Sequence, residues 1–544
     1  MHPYGWLSLL PPVVAVVLAI ATRRILLSLL VGLFAGALLT TGGQPIAAVV
    51  ALGETHLWPA FSDPGKLRLF SFTMSMGATV GLLHAAGGMQ GLVQLMTPLA
   101  GSRRSGQMTG WALGLVVFFD DYANTLLLGG ALRSVFDRLR ISREKLAYLV
   151  DSTAAPVAGL ALISTWIAVE IAYVQEGLDN LSIEQAEGVS AFGLFVACLP
   201  YRFYVIQALL FVPLVALIGR DFGPMLHAER LAKQNEAPHD LDEPEAAPPK
   251  ASHWSNAVIP LVTMLLVVIG LLWTTGIASL GDRYDATASL GDRLRDVFGA
   301  ASSSLALQYG GLAGLGMSLA LVSLRKLLPP AETRAALVRG VLAVLPAVAI
   351  LWFAAAMSKM TGNKSVDGQP SATPFEYADS RLYTGEFLSE RLLGGPDETP
   401  SETLRTLLPT GVFLLSAVVA FCTGTSFGTM GLVVPMVVPL AFNAAGADPA
   451  SSPLLLASLA GVLAGAIFGD HCSPISDTTI LSSQASGCDH MAHVRTQLPY
   501  ALAVATVVVL LGTVPVGLGV NVWLLLPVQT AALIGLLYAL GRKP

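Results

Sequence analysis

Apolar runs as long as a bilayer is thick recur from one end of this chain to the other. Trp6 to Ala21 and Leu498 to Leu518 are two of them, close to the roughly 20 residues that a helix needs to cross the hydrocarbon core. In lipid every backbone N–H and C=O must be satisfied internally, so only helices and closed barrels span. Runs of this length read as helices. Composition agrees: 54% of residues are hydrophobic and 12% charged, about half the charge of a soluble domain. The expected fold is an all-α polytopic membrane protein. The net charge of -5 gives no reason to expect a nucleic-acid partner. Cys198, Cys422, Cys472 and Cys488 lie in or beside apolar segments and form no secreted-type disulfide framework. The run from Trp6 lacks a basic n-region and a cleavage site, and reads as a retained span.

Positive charge collects on the cytoplasmic side of a membrane. Arg133, Arg138, Arg140, Arg143 and Lys145 form one basic group, Arg220, Arg230, Lys233 and Lys250 a second, and Arg325, Lys326, Arg334 and Arg339 a third. All three are expected inside. Arg103 and Arg104 also read as inside, yet only one apolar segment separates them from the first group. Such a segment must enter and turn back. Its centre is FFDDYANT, Phe118 to Thr125, and polar backbone at depth is tolerated where protein or water surrounds it. A re-entrant hairpin is therefore expected over 106–135. The stretch Thr423 to Thr429 interrupts a second apolar segment, giving a second hairpin over 405–442. The layout is then about eleven spans and two hairpins, with the N-terminus outside and the C-terminus inside. The N-terminal membrane half covers 1–220, a cytoplasmic linker 221–255 and the C-terminal half 256–544, with an external insertion at 361–404.

Each hairpin precedes a span broken by proline and polar residues. These are DSTAAPVAGLALIST from Asp151, within 146–175, and DHCSPISDTTILSS from Asp470, within 453–485. Aligning Pro156 with Pro474 brings Val157 to Ile475, Leu162 to Ile480 and Ser164-Thr165 to Ser482-Ser483. An aspartate precedes the proline in both. With hairpins entering from opposite sides, the halves read as two inverted repeats with discontinuous helices. In transporters, paired broken helices of this kind place substrate and ion sites at the midplane. A proline removes one backbone donor, and the freed carbonyls and half-helix dipoles can then hold a cation.

An ionisable group at membrane depth is a functional candidate. The binding candidates are Asp121, Asn124 and Thr125 at the first tip, Asp151, Ser152 and Thr153 on the first broken span, and Asp470, Ser473, Ser476, Asp477 and Thr478 on the second. Oxygen donors in such numbers suit a hard cation, with sodium expected at Asp121, Asp151 and Asp477. Burial disfavours a bare carboxylate, so proton and cation compete for it. Asp477, Asp151, Asp120 and His471 are the proton-coupling candidates. Glu170 reads equally as an interfacial residue or a relay. The set His471, Cys472, Cys488, His490 and His493 matches no standard zinc spacing, and the last two histidines are expected in a cytoplasmic loop.

Three segments carry a resemblance. FGDHCSPISDTTILSSQASGCDHMAHVRTQLPYAL from Phe468, FFDDYANTLLLGGALR from Phe118 and DSTAAPVAGLALISTW from Asp151 resemble the NhaC-type sodium/proton antiporters, of the ion transporter superfamily. The resemblance implies inverted repeats, an elevator-like movement of hairpins and broken helices against a scaffold, and a homodimer. Ala123-Asn124-Thr125 resembles the Ser-Asn-Thr tip of carboxylate-transporting relatives, with alanine for serine, while the second tip lacks the asparagine. The same family includes malate/lactate exchangers and tetracycline exporters.

The expected function is Na+/H+ exchange across a bacterial inner membrane, with no enzymatic step and no cofactor beyond the carried ion. The alternative is sodium-coupled or exchange transport of a small organic acid or amino acid at the same site. That alternative needs a cationic or amide-rich anchor, and the broken segments themselves contain no Arg or Lys.

Overall fold

The computed structural model describes residues 4–544 except 23, 163, 182–184, 186–188, 235–252, most of 282–299, 362–380, most of 385–401 and 446–448. In chain order the helices are α1 (Leu10–Thr22), α2 (Ile25–Thr40), α3 (Pro45–Ala51), α4 (Pro64–Ala85), α5 (Gly88–Met96), α6 (Arg103–Val116), α7 (Asp121–Arg138), α8 (Arg143–Leu160), α9 (Thr165–Asp179), α10 (Ala191–Cys198), α11 (Phe203–Ile218), α12 (Gly223–Gln234), α13 (Ser255–Leu280), α14 (Ser303–Leu324), α15 (Pro330–Thr361), α16 (Glu402–Thr423), α17 (Ser426–Ala445), α18 (Pro453–Cys472), α19 (Asp477–Ser486), α20 (His490–Val508) and α21 (Val522–Leu540). Eight helices are long and apolar enough to cross a membrane, or up to 12 spans if each bent pair counts as one. The protein is an all-helical, multi-pass membrane protein, and the described residues contain no strand beyond one backbone bridge, Asp221 to Arg542.

Both expected helix–turn–helix units are present. The first is α6 and α7, joined over Val117–Asp120, and its two ends meet where the Arg103 guanidinium donates to the Arg140 carbonyl. The 14 residues of α6 extend about 21 Å, short of a hydrocarbon core about 30 Å thick. The second is α16 and α17, turning at Gly424 and Thr425; Gly424 sits at φ +70°. Its helices have 22 and 20 residues, so length alone would let each cross.

Both expected broken helices are present too. The first stops at Leu160, restarts at Thr165 and bends by 52°. The second stops at Cys472 and restarts at Asp477. Pro474 stands at its break, as expected. Pro156 does not: it lies inside the continuous α8. The first break is made instead by Ser164, whose hydroxyl accepts from the N–H groups of Trp166 and Ile167 and donates to the Ala158 carbonyl at 2.7 Å. A side chain that satisfies backbone groups on both sides of a gap competes with helix continuation.

Helices approach closely where glycines leave room. Gly461, Gly465 and Gly469 run down one face of α18. A Cβ at each would lie 2.8, 2.3 and 2.4 Å from the carbonyls of Pro409, Phe413 and Ala417 on α16. This small-residue rail seats the second hairpin on the second broken helix. Likewise Gly77 and Gly340 bring α4 against α15, and Gly311 brings α14 against Phe72 of α4. Together with α13, which packs on α14 through Met264, these helices form a bundle that meets the end of α9 through Lys66 with Glu176 and Ser358 with Asn180.

Two expected boundaries change. The segment 221–255 is not all linker. Asp221 is buried and accepts from Lys145 and Tyr500, while α12 buries Met225 and Glu229. Tertiary partners override a Pro- and Glu-rich composition here, and what remains of the expected linker, 235–252, lies outside the described residues. The insertion 361–404 is likewise not all peripheral. Leu382 donates its N–H to the Met360 carbonyl, Thr384 bonds to the Ser8 carbonyl at 2.7 Å, and Phe387 meets Trp6 edge-on.

Candidate ion-binding site

Each hairpin tip is tied to its own broken helix. In the N-terminal half the Thr165 N–H donates to the Phe119 carbonyl at 2.9 Å. Asp120 caps α7, accepting from the Ala123 N–H at 2.8 Å and the Thr165 hydroxyl at 3.1 Å. Both its oxygens are therefore occupied structurally, which sets it apart from Asp121 as a proton-coupling candidate. Asn124, fully buried, donates its amide to the carbonyls of Gly114, Val117 and Thr153. It staples the tip to α8 and leaves its own Oδ1 without a donor. Thr125 is buried with an unpartnered hydroxyl. Thr153 bonds back to the Leu149 and Val150 carbonyls.

In the C-terminal half Asp470 accepts from both the N–H and the hydroxyl of Ser426, the first residue of α17. Ser473 reaches the Phe421 carbonyl at 2.7 Å. Ser476 precedes α19 and meets Thr478 at 3.1 Å. A helix N-terminus aimed at a carboxylate is favourable in itself, and here it locks the second tip to α18.

Asp151 joins the two halves. It is fully buried on α8, but its partners come from the second half. Thr479 donates to Oδ2 at 3.1 Å and Gln497 at 2.5 Å, and His493 Nε2 lies 3.5 Å away. Thr479 also bonds the Asp470 carbonyl at 3.1 Å, and Gln497 the His471 carbonyl at 3.0 Å. The last-turn carbonyls of α18, freed by the break, thus share their donors with Asp151. Asp151 Oδ1 and Asp470 Oδ1 are both buried without a donor. A carboxylate oxygen so placed is costly unless a proton or a cation meets it.

The other predicted residues stand around this centre. Asp477 is exposed and accepts from the Tyr122 hydroxyl, linking the restart of the second broken helix to the first tip. Asp121 is buried, with the Trp166 indole beside its carboxylate. Asp121, Asp151 and Asp477 do not share one cage: among the described residues no group of three His, Cys, Asp or Glu side chains converges on a metal position. The backbone separates them onto α7, α8 and α19. His471 bonds the Tyr204 hydroxyl at 2.9 Å. His493 is fully buried on α20, not in a loop, because Asp489 caps that helix from His490 onward. His493 and Gln497, four residues apart, face Asp151 together.

Two buried ion pairs complete the picture. Glu170 is no interfacial residue. It pairs with Arg202 at 2.6 Å with both side chains fully buried, and Arg202 also donates to the Gly159 carbonyl. A cation therefore does stand at a break, brought in by a neighbouring element. Lys66 pairs with Glu176 at the end of α9. A lone arginine inside the apolar run 189–218 was the available signal for Arg202. Gln497 and Thr479 carried no signal beyond helical spacing.

The Na+/H+ antiporter family model matches residues 157–365 and 401–516. The chain belongs to the Na+/H+ antiporter family. It is similar, at 32% identity over 92% of this chain and 88% of the relative, to an uncharacterised protein of Haemophilus influenzae. Over 110 residues, 20% of this chain and 22% of the relative, it is 43% identical to an uncharacterised Na+/H+ antiporter of the same organism. Over 101 residues, 19% and 20% of the two chains, it is 37% identical to a malate-2H+/Na+-lactate antiporter of Bacillus subtilis. Among solved structures the YdaH transporter of Alcanivorax borkumensis superposes with a TM-score of 0.51 at 16% identity, covering 87% of this chain and 90% of that one. This likeness speaks for the fold alone. The family is one of membrane transporters, not enzymes.

Proposed function

We propose that the protein exchanges Na+ for H+ at one shared site, whose central carboxylate is Asp151. The observation that carries this reading is the geometry of Asp151. One oxygen is held by Thr479 and Gln497, and the other is buried and free to take either a proton or a sodium ion. Asp470, Asn124 and Thr125 offer further unpartnered oxygens on the elements that pack around it. Asp121 and Asp477 lie beside this set and serve the ion's path. Ions enter alternately from the two sides as the hairpins and broken helices move against the bundle of α4, α13, α14 and α15. The two halves act as inverted repeats, paired through the serines that precede each restart, Ser164 and Ser476. The cytoplasmic end is the one where Arg103, Arg140, Arg220 and the C-terminal Arg542 gather beside Asp221 and Glu229.

The malate-2H+/Na+-lactate antiporter is a short-range relative, and an organic acid needs a free cationic anchor. Arg202 is engaged by Glu170 and Gly159, and Lys66 by Glu176. This favours a bare cation. The test is a pH-dye assay in proteoliposomes with an imposed pH gradient. Sodium is expected to collapse the gradient without any organic anion present. A gradient that yields only to malate or lactate together with sodium would overturn the reading.

A further inference from the structure

The two breaks are built alike but are filled differently. At the second break the carbonyls of Asp470 and His471 accept from neutral donors, Thr479 and Gln497, and the nearby carboxylates keep open oxygens. At the first break the Gly159 carbonyl accepts from a guanidinium, and the carboxylate beyond the break, Glu170, pairs with that same guanidinium. A Cβ built on Gly159 would stand 3.3 Å from Arg202 Nη1 and 3.5 Å from Glu170 Oε1, so the three groups crowd one point. Ile467 of α18 lies against the same point at 3.6 Å, so this break also abuts the second broken helix.

Arg202 reaches the break from a third discontinuity. It sits between the helical segments Ala191–Tyr201 and Phe203–Ile218, which bend by 48°. Two residues on, Tyr204 bonds His471 at the end of α18. One short stretch thus addresses both broken helices. A buried ion pair is weak evidence for stability, since apolar replacements of such pairs are often neutral or stabilising. Here Arg202 Nε and Glu170 Oε2 even lack partners. Backbone carbonyls at a helix break are also what coordinate a transported cation in discontinuous helices, and here a carboxylate stands beside one.

We propose that the Arg202 guanidinium is a tethered cation that stands in for a second transported ion at the first break, leaving one sodium site per chain. The inference rests on the exchange reading above and adds its ion count. Glu170 and the Gly159 carbonyl are the ligands that the tethered cation occupies.

Equilibrium 22Na+ binding to the purified full-length protein tests this, alongside sodium-driven exchange in liposomes. The wild type is expected to bind one sodium per chain. Arg202→Gln, with Glu170 kept, is expected to bind two and to show a steeper sodium dependence of exchange. In Arg202→Ala, added methylguanidinium is expected to return the count from two to one. A monodisperse Arg202→Gln that still binds one sodium overturns the inference, as does a wild type that binds two. If neither of these variants assembles, Arg202→Lys decides: a count of one supports a tethered cation, and a count of two refutes it. A wild type that binds no sodium instead overturns the exchange reading itself.

Discussion

Replacing Asp151 with asparagine removes one negative charge and changes little else in shape. The asparagine oxygen can still accept from Thr479 and Gln497, which hold Oδ2 at 3.1 and 2.5 Å. Its amide nitrogen must then point where Oδ1 now points, presenting donors to a position that a cation would occupy. At about 4 Å and an effective dielectric constant of about 20, one unit of attraction is worth roughly 4 kcal/mol. That is about a thousandfold in sodium affinity. Folding should change far less, because the hydrogen bonds from Thr479 and Gln497 survive and a costly buried charge is removed. The assay is sodium binding by titration calorimetry, with exchange measured in parallel in liposomes. Loss of both in a monodisperse protein is the expected result. An Asp151→Asn protein that binds sodium within about threefold of the wild type refutes the reasoning, since that is less than about 1 kcal/mol.

Other consequences follow from the packing. Asn124→Ala removes the two N–H groups shared among the carbonyls of Gly114, Val117 and Thr153, a loss of about 2–4 kcal/mol, read as a lower thermal midpoint and faster hydrogen exchange at 114–125. Gly424→Ala meets both φ +70° and the Ile475 carbonyl at 2.5 Å, so exchange should fall at least tenfold while the α4–α15 bundle stays protected in hydrogen exchange. Glu229→Ala strands the Ser142 N–H and takes the carboxylate from the Arg103 guanidinium, which is a quarter exposed and keeps its bond to the Arg140 carbonyl. About 2 kcal/mol is expected after allowing for that exposure, seen as increased proteolysis near residue 140 with sodium binding unchanged.

Much of this arrangement is legible in the sequence because lipid permits so few structures. Charge on both flanks of one apolar segment points to the first hairpin, and FFDDYANT marks its tip. Asp151 and Asp470 stand out as carboxylates in spans. The position of the first break is harder to read. Pro156 is the louder signal, yet α8 runs on through it despite the lost bond and the ring's clash with the preceding turn, whereas Ser164 satisfies groups on both sides of the gap. Aligning Ser164 with Ser476 pairs the restarts Thr165 and Asp477, which the prolines do not. Which of Asp120 and Asp121 serves as the cap depends on backbone direction at the turn, and spacing does not encode it. His490 and His493 look like loop residues because the cap at Asp489 is easily overlooked. Arg202 meets its partners Gly159 and Glu170 only through tertiary contact, so nothing in the sequence connects an arginine outside the broken segments to them.

The most direct measurement is the number of protons released when sodium binds to the purified protein in weakly buffered solution. Competition for Asp151 predicts close to one proton released per sodium bound where the free site is protonated, and a sodium affinity that weakens about tenfold for each pH unit below that point. Sodium binding with no proton release at any pH would contradict a shared site.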